Sequence, residues 1–262
     1  RRSSDLRPKA FEIQELTVDN LIDFTPELRQ EAIATIKNYK TGPLFTPPIQ
    51  VGHPSGLRSF VSCPAGASNI NGPTVADPES GVLFVTSQRL CRAENVVPGE
   101  KMDEPNDPKT TGQTLSRWVV ANRGDLRGPD GLPIWKPPYS RIIAIDMTTG
   151  EFLWEKPNGD TPEHIKNHPR LRGLNIPATG QTTHAVMMPT KTLLLTAPGG
   201  EPVLYALDKR TGERLGTLKL PAPGQYGMMG YLHGGRQYVV VQVASGTVPG
   251  SLVALRLPAS ER

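Results

Sequence analysis

No apolar run in the chain reaches the ~18 residues that a membrane-spanning helix needs, so no membrane span is expected in this stretch. Runs of like charge are missing too. The 29 Lys and Arg residues are scattered. A net charge of +4 therefore carries no nucleic-acid or membrane footprint, and no nucleic-acid partner is expected. Cysteine is scarce. Cys63 and Cys91 cannot make a zinc site without histidine help, and their spacing matches no metal motif. In an oxidising compartment they would form one disulfide; otherwise they are two buried thiols, and the sequence leaves both open. The opening residues Arg1-Arg2-Ser3-Ser4-Asp5 lack an apolar signal core and an initiator Met, so residue 1 is not read as a natural start.

Long helical patterns are also few. One stands near the start, where Thr25-Pro26-Glu27 offers an N-cap hydroxyl, a proline at the first helical position and an early acid. Leu28, Ala32, Ile33 and Ile36 then recur at helical spacing until Gly42-Pro43. Residues 1–44 are thus expected to be an excursion with one amphipathic helix.

Turn residues, by contrast, are abundant: 26 glycines and 27 prolines. From about residue 50 they bound short apolar runs such as Gly81–Val85, Arg141–Ile145, Thr192–Thr196, Val203–Leu207, Tyr238–Val241 and Leu252–Leu255. Each is too short for a helix and rich in strand-forming side chains, so residues 45–262 are expected to be all-β. Two loop insertions interrupt them, at 86–138 and 158–179. The first holds a candidate strand at Ser116–Ala121, the second a short helix around Thr161–Asn167.

Two segments repeat. Ala144-Ile145-Asp146-Met147-Thr148-Thr149-Gly150-Glu151, running on to Trp154, matches Ala206-Leu207-Asp208-Lys209-Arg210-Thr211-Gly212-Glu213, running on to Gly216. The pattern describes a hairpin. A strand ends at an aspartate able to bind turn amides, Thr-Gly makes the turn, and a second strand follows. Asp77-Pro78-Glu79-Ser80-Gly81 before Val82 is a related turn. Repeated strand–turn–strand units point to a propeller of four-stranded blades. In the first copy Trp154 is expected to wedge between blades.

The hairpin ending in Trp154 resembles the tryptophan docking motif of the pyrroloquinoline-quinone (PQQ) dependent dehydrogenases. Gly66–Pro73 leading into Asp77-Pro78 is similar to their glycine-x-x-asparagine-tryptophan segment, and Gly235–Val241 with Ser251–Leu255 resembles their closing strands. Even Asp19–Leu28 is similar to an excursion in glucose dehydrogenase-like members. The likeness spans nearly the whole chain.

The resemblance implies a C-terminal part of an eight-bladed propeller, with about three to four blades present and the N-terminal blades of the same propeller missing. It implies oxidation of an alcohol or sugar hydroxyl with PQQ and Ca2+, in the periplasm or outside the cell, with the electron acceptor undefined. Asn69 is the residue it places at the quinone, although Ile70 stands where the family has tryptophan. The family's catalytic aspartate follows a tryptophan; here Trp118, Trp135 and Trp154 precede Val119, Lys136 and Glu155. The acid is therefore expected upstream of residue 1, and this stretch alone is expected to be inactive. The alternative is a non-catalytic propeller acting as a scaffold or protein-binding module.

Other constellations are weak. His164 and His168 are spaced like helical zinc ligands, but Pro169 closes the helix and no glutamate follows His164. Asp103-Glu104-Pro105-Asn106-Asp107 lacks calcium-loop spacing. No metal ligand is assigned.

Overall fold

A computed structural model of the chain describes residues 9–63, 74–99 and 117–257. The strands are β1 (Phe60–Ser62), β2 (Val75–Asp77), β3 (Val82–Gln88), β4 (Arg92–Pro98), β5 (Trp118–Asp125), β6 (Ser140–Asp146) and β7 (Phe152–Pro157). They continue with β8 (Ala185–Pro189), β9 (Leu193–Pro198), β10 (Val203–Asp208), β11 (Arg214–Lys219), β12 (Gly224–His233), β13 (Arg236–Val243) and β14 (Ser251–Arg256). They pair into four antiparallel sheets, ordered β1-β4-β5, β2-β3-β6-β7, β8-β9-β10-β11 and β12-β13-β14. The all-β expectation holds. The chain groups into two compact units.

The smaller unit comprises Glu12–Ala65 and Arg89–Lys136. Its helix α1 (Pro26–Ile36) starts where the sequence says it should, with the Leu28 amide donating to Thr25 Oγ1 at 3.2 Å. Leu28 and Ala32 are buried, while Ile33 and Ile36 are half-buried. The sheet β1-β4-β5 carries a disulfide between Cys63 and Cys91. The two cysteines follow directly on the pair Ser62↔Arg92, and their Cα atoms are 4.5 Å apart. Strand β4 was not expected. Arg92, Glu94 and Asn95 break the apolar pattern, and a bulge between Asn95 and Val96 shifts the register.

The larger unit comprises Arg1–Phe11, Gly66–Gln88 and Pro137–Arg262, and holds the other three sheets. The two repeated hairpins fold alike to the level of single hydrogen bonds. Asp146 Oδ1 accepts from the Thr148 and Thr149 amides at 2.7 and 3.0 Å. Asp208 Oδ1 accepts from the Arg210 and Thr211 amides at 2.8 and 3.1 Å. Gly150 and Gly212 both take positive φ, 76° and 71°, as the turn demands. Asp77 does the same work in the third turn, accepting from the Glu79 amide, with Gly81 at φ 67°.

The sheets stack through alternate residues of their strands. Val82, Phe84, Ile142, Ala144 and Trp154 of one face Ala185, Met187, Leu194, Tyr205 and Leu207 of the next. A second layer joins Val186, Ala197 and Leu204 to Val241 and Val243. Trp154 is buried between sheets as its motif implied. Its indole N–H donates to the Lys209 carbonyl at 3.1 Å, and its ring lies 5.8 Å from that of Phe84. A β-carbon on Gly212 would come within 2.8 Å of the indole, so only glycine admits the ring there.

Candidate functional site

The first strands of the three sheets, β2, β8 and β12, are neighbours and begin at the same end of the larger unit. Val75 of β2 pairs with Phe84, so Thr74 lies beside Val85, midway along β3. The Ala185 amide at the start of β8 donates to Thr86 Oγ1 of β3 at 3.0 Å, bringing the two starts to one level. Gly224 opens β12 against Ala197, a contact that leaves no room for a larger residue. In a propeller the first strand of each blade lines the central channel, and the ends of these strands open on one face of it.

Buried polar groups in the segments leading to these strands are not all satisfied. Asn158 is completely buried. Its Nδ2 donates to the Thr183 carbonyl at 2.9 Å and to Ser140 Oγ at 3.1 Å, while its Oδ1 has no partner. The buried hydroxyl oxygens of Thr74 and Thr183 also have none. Buried polar atoms are nearly always paired, so the unpaired oxygens of Asn158 and Thr183, which the Asn158 Nδ2 bond to the Thr183 carbonyl brings together, fit a ligand or water rather than a packed interior. Thr183 is backed by Gly199, where a β-carbon would lie 2.9 Å from its hydroxyl.

A charged network fixes the approach to Thr183. The Glu201 carboxylate accepts from the Asp160 amide at 2.6 Å, from the Gln181 side chain and from the Tyr205 hydroxyl. Arg214 lies over the Tyr205 ring at 3.8 Å and pairs with Asp160 at 2.9 Å. Burial and the bond to Glu201 both push the Tyr205 hydroxyl pKa up, so it stays a donor. A cleft of about 650 Å³ opens beside Glu201, Gln181 and His164.

At the opposite end of the same strands, Lys209 reaches Asp77. Burial raises the Asp77 carboxyl pKa, but the Lys209 ammonium, the Ser80 hydroxyl and the Glu79 amide outweigh it, and the net shift is downward. This pair joins two sheets and lies away from the unpaired groups.

Asn69, the quinone-facing residue of the sequence reading, lies outside the described residues, as do Asp103–Asp107. His164 and His168 do not share a helix: α2 (Glu163–Lys166) ends before His168, whose Nδ1 accepts from the Arg170 amide at 3.3 Å. Among the described residues no group of three or more His, Cys, Asp or Glu is arranged to hold a metal. No described helix is long and apolar enough to cross a membrane. Thr74, Asn158 and Thr183 belong to no motif, and their only sequence signal is position just before a first strand or in the linker to one.

Residues 3–239 match the family model described as PQQ: glucose/ethanol/alcohol dehydrogenase, beta-propeller domain. The quinoprotein glucose dehydrogenase of Escherichia coli (strain K12) is 28% identical over 238 residues, covering 82% of this chain and 28% of that protein. The quinate/shikimate dehydrogenase (quinone) of Acinetobacter baylyi is 26% identical over 263 residues, covering 91% of this chain and 30% of its own. The solved quinohemoprotein alcohol dehydrogenase from Comamonas testosteroni is 16% identical, with a TM-score of 0.40, covering 78% of this chain and 28% of that one. This chain thus spans under a third of the length of the curated relatives.

Proposed function

The chain belongs to the PQQ-dependent glucose/ethanol/alcohol dehydrogenase β-propeller family, and from that premise we propose that it forms one side of a quinone site oxidising an alcohol or sugar hydroxyl. The observation that carries this reading is the set of unpaired buried groups on Thr74, Asn158 and Thr183. PQQ is flat and rimmed with carbonyl and carboxylate oxygens, which suit the two hydroxyls as donors, while its ring N–H suits Asn158 Oδ1. Asn69 would add an amide at the same rim, five residues before Thr74.

With calcium, PQQ supplies a two-electron acceptor next to a Lewis acid. This chain's residues bind and orient. Glu201, through Gln181, holds the segment that ends in Thr183, and Thr86 holds the start of β8. The calcium ligands and the general base would come from further blades of a longer polypeptide. On the β12-β13-β14 sheet Leu252 and Met229 are 75% and 57% exposed, an apolar face that a further blade would cover. The disulfide supports a periplasmic or extracellular location.

The test is titration of the chain with PQQ, with and without Ca2+, followed by quinone fluorescence. Saturable binding that Thr183→Val and Asn69→Ala weaken is the expected result. No binding to the chain, nor to the chain joined to its upstream blades, would favour the scaffold reading.

A further inference from the structure

We propose that the turn Pro43-Leu44-Phe45-Thr46 is a docking tip that inserts Phe45 and Leu44 into an anionic lipid surface. The tip lies wholly within the smaller unit and does not depend on the quinone site. Phe45 has φ 68° and is 98% exposed. The Thr46 amide closes the turn by donating to the Pro43 carbonyl at 3.1 Å, so Phe45 holds its third position. Positive φ at that position suits glycine or asparagine, and a bulky side chain is strained there. A residue that is strained and buries nothing adds no stability to its fold. Strain of this kind marks a site whose reason lies outside the fold.

The tip is firmly held. The Leu44 amide donates to the Gln14 carbonyl at 3.0 Å, and Thr46 Oγ1 donates to the Pro43 carbonyl at 2.6 Å. A β-carbon on Gly42 would collide with the Thr46 hydroxyl, and Pro47 and Pro48 stiffen the exit. Cations that are scattered in the sequence gather behind the tip. Lys40 Nζ donates to the Pro47 carbonyl at 2.8 Å, which sets an exposed ammonium at its base. The Arg58 amide donates to the Asn38 carbonyl and the Lys40 amide to the Ser59 carbonyl, so the exposed Lys37 and Arg58 stand on neighbouring segments. The sequence has no acid from Ala32 to Ala76; partner segments bring Glu15 opposite Pro43 and Glu94 opposite Phe60. Leu44 is 44% exposed, so the apolar surface is a tip of two side chains. A stable protein interface buries about 800 Å² on each side, which two side chains do not offer. Insertion at a lipid surface needs no complementary wall, only apolar side chains with cations behind them.

The experiment is co-sedimentation of the chain with vesicles at millimolar lipid, for wild type and Phe45→Gly. One set of vesicles is pure phosphatidylcholine, and the other contains about one third phosphatidylglycerol. Phe45→Gly removes the anchor and relieves the backbone, so a loss of binding does not come from unfolding. The expected result is partition onto the anionic vesicles, weakened by about 0.5 M salt and reduced at least about fivefold in Phe45→Gly. The melting midpoint of that variant is expected to equal or exceed that of wild type. Wild type that stays in the supernatant with both vesicles overturns the proposal and points to a protein pocket as the partner of Phe45. Equal partition with and without phosphatidylglycerol overturns it as well, as does a variant that binds within about twofold of wild type. A lower melting midpoint for Phe45→Gly would mean that the ring supports the fold, and that also overturns it.

Discussion

Lys209 Nζ lies 2.6 Å from Asp77 Oδ2, joining the turn after β10 to the end of β2. Both side chains are nearly buried, and the ammonium also donates to the Thr190 carbonyl at 3.0 Å. Removing one partner leaves the other charge buried and alone. Lys209→Met is expected to cost about 3–5 kcal/mol, and the double change Asp77→Asn/Lys209→Met less than the sum of the single ones. Urea unfolding of the four species gives the coupling directly.

Because the folded pKa of Asp77 is lowered, its contribution to stability has a fixed sign with pH. It is fully present above the ordinary carboxylate pKa and is lost as pH falls through the lowered folded value. Melting midpoints measured from pH 7 down to pH 2 should therefore fall more steeply for wild type than for Asp77→Asn at the acid end. Parallel curves would show that the pair does not carry the acid sensitivity.

Trp154 is 8% exposed and spends its only donor on the Lys209 carbonyl. Trp154→Ala is expected to lose about 3–5 kcal/mol through the cavity left against Phe84 and Gly212. Trp154→Phe keeps part of the ring and forfeits the hydrogen bond, an expected loss of about 1–3 kcal/mol. Calorimetry on the two variants separates packing from bonding.

Two glycines with positive φ make a paired test. At Gly212, φ 71°, an added methyl meets the Trp154 indole; at Gly234, φ 55°, it meets nothing within 4 Å. Gly234→Ala should cost only the backbone term, about 1 kcal/mol. Gly212→Ala adds about 1–3 kcal/mol of overpacking to that term. Equal losses would mean that the indole moves aside.

The hairpins were legible because their information is local. An aspartate, a threonine and a glycine within five residues specify the turn at Asp146, and the same three specify it at Asp208. Helix α1 was legible for the same reason, through Thr25 and Pro26. Strand β4 was not, since the charged and amide residues at Arg92, Glu94 and Asn95 hide a ladder that only partners β1 and β5 reveal. The candidate site was hardest. Thr74 and Thr183 are more than a hundred residues apart, and no spacing rule links two threonines.

The sequence by itself thus determined the turns, the helix start, the strand-rich class and the family, because each rests on residues close along the chain or on motifs in order. Tertiary structure alone decided between a disulfide and two thiols, since the β1–β4 register sets whether Cys63 and Cys91 face each other. It also decided that Asp77 meets Lys209, and that Asn158 meets Thr183 with polar atoms of both left unpaired. Those outcomes depend on how sheets stack, and stacking is fixed by side-chain packing between residues far apart in the chain.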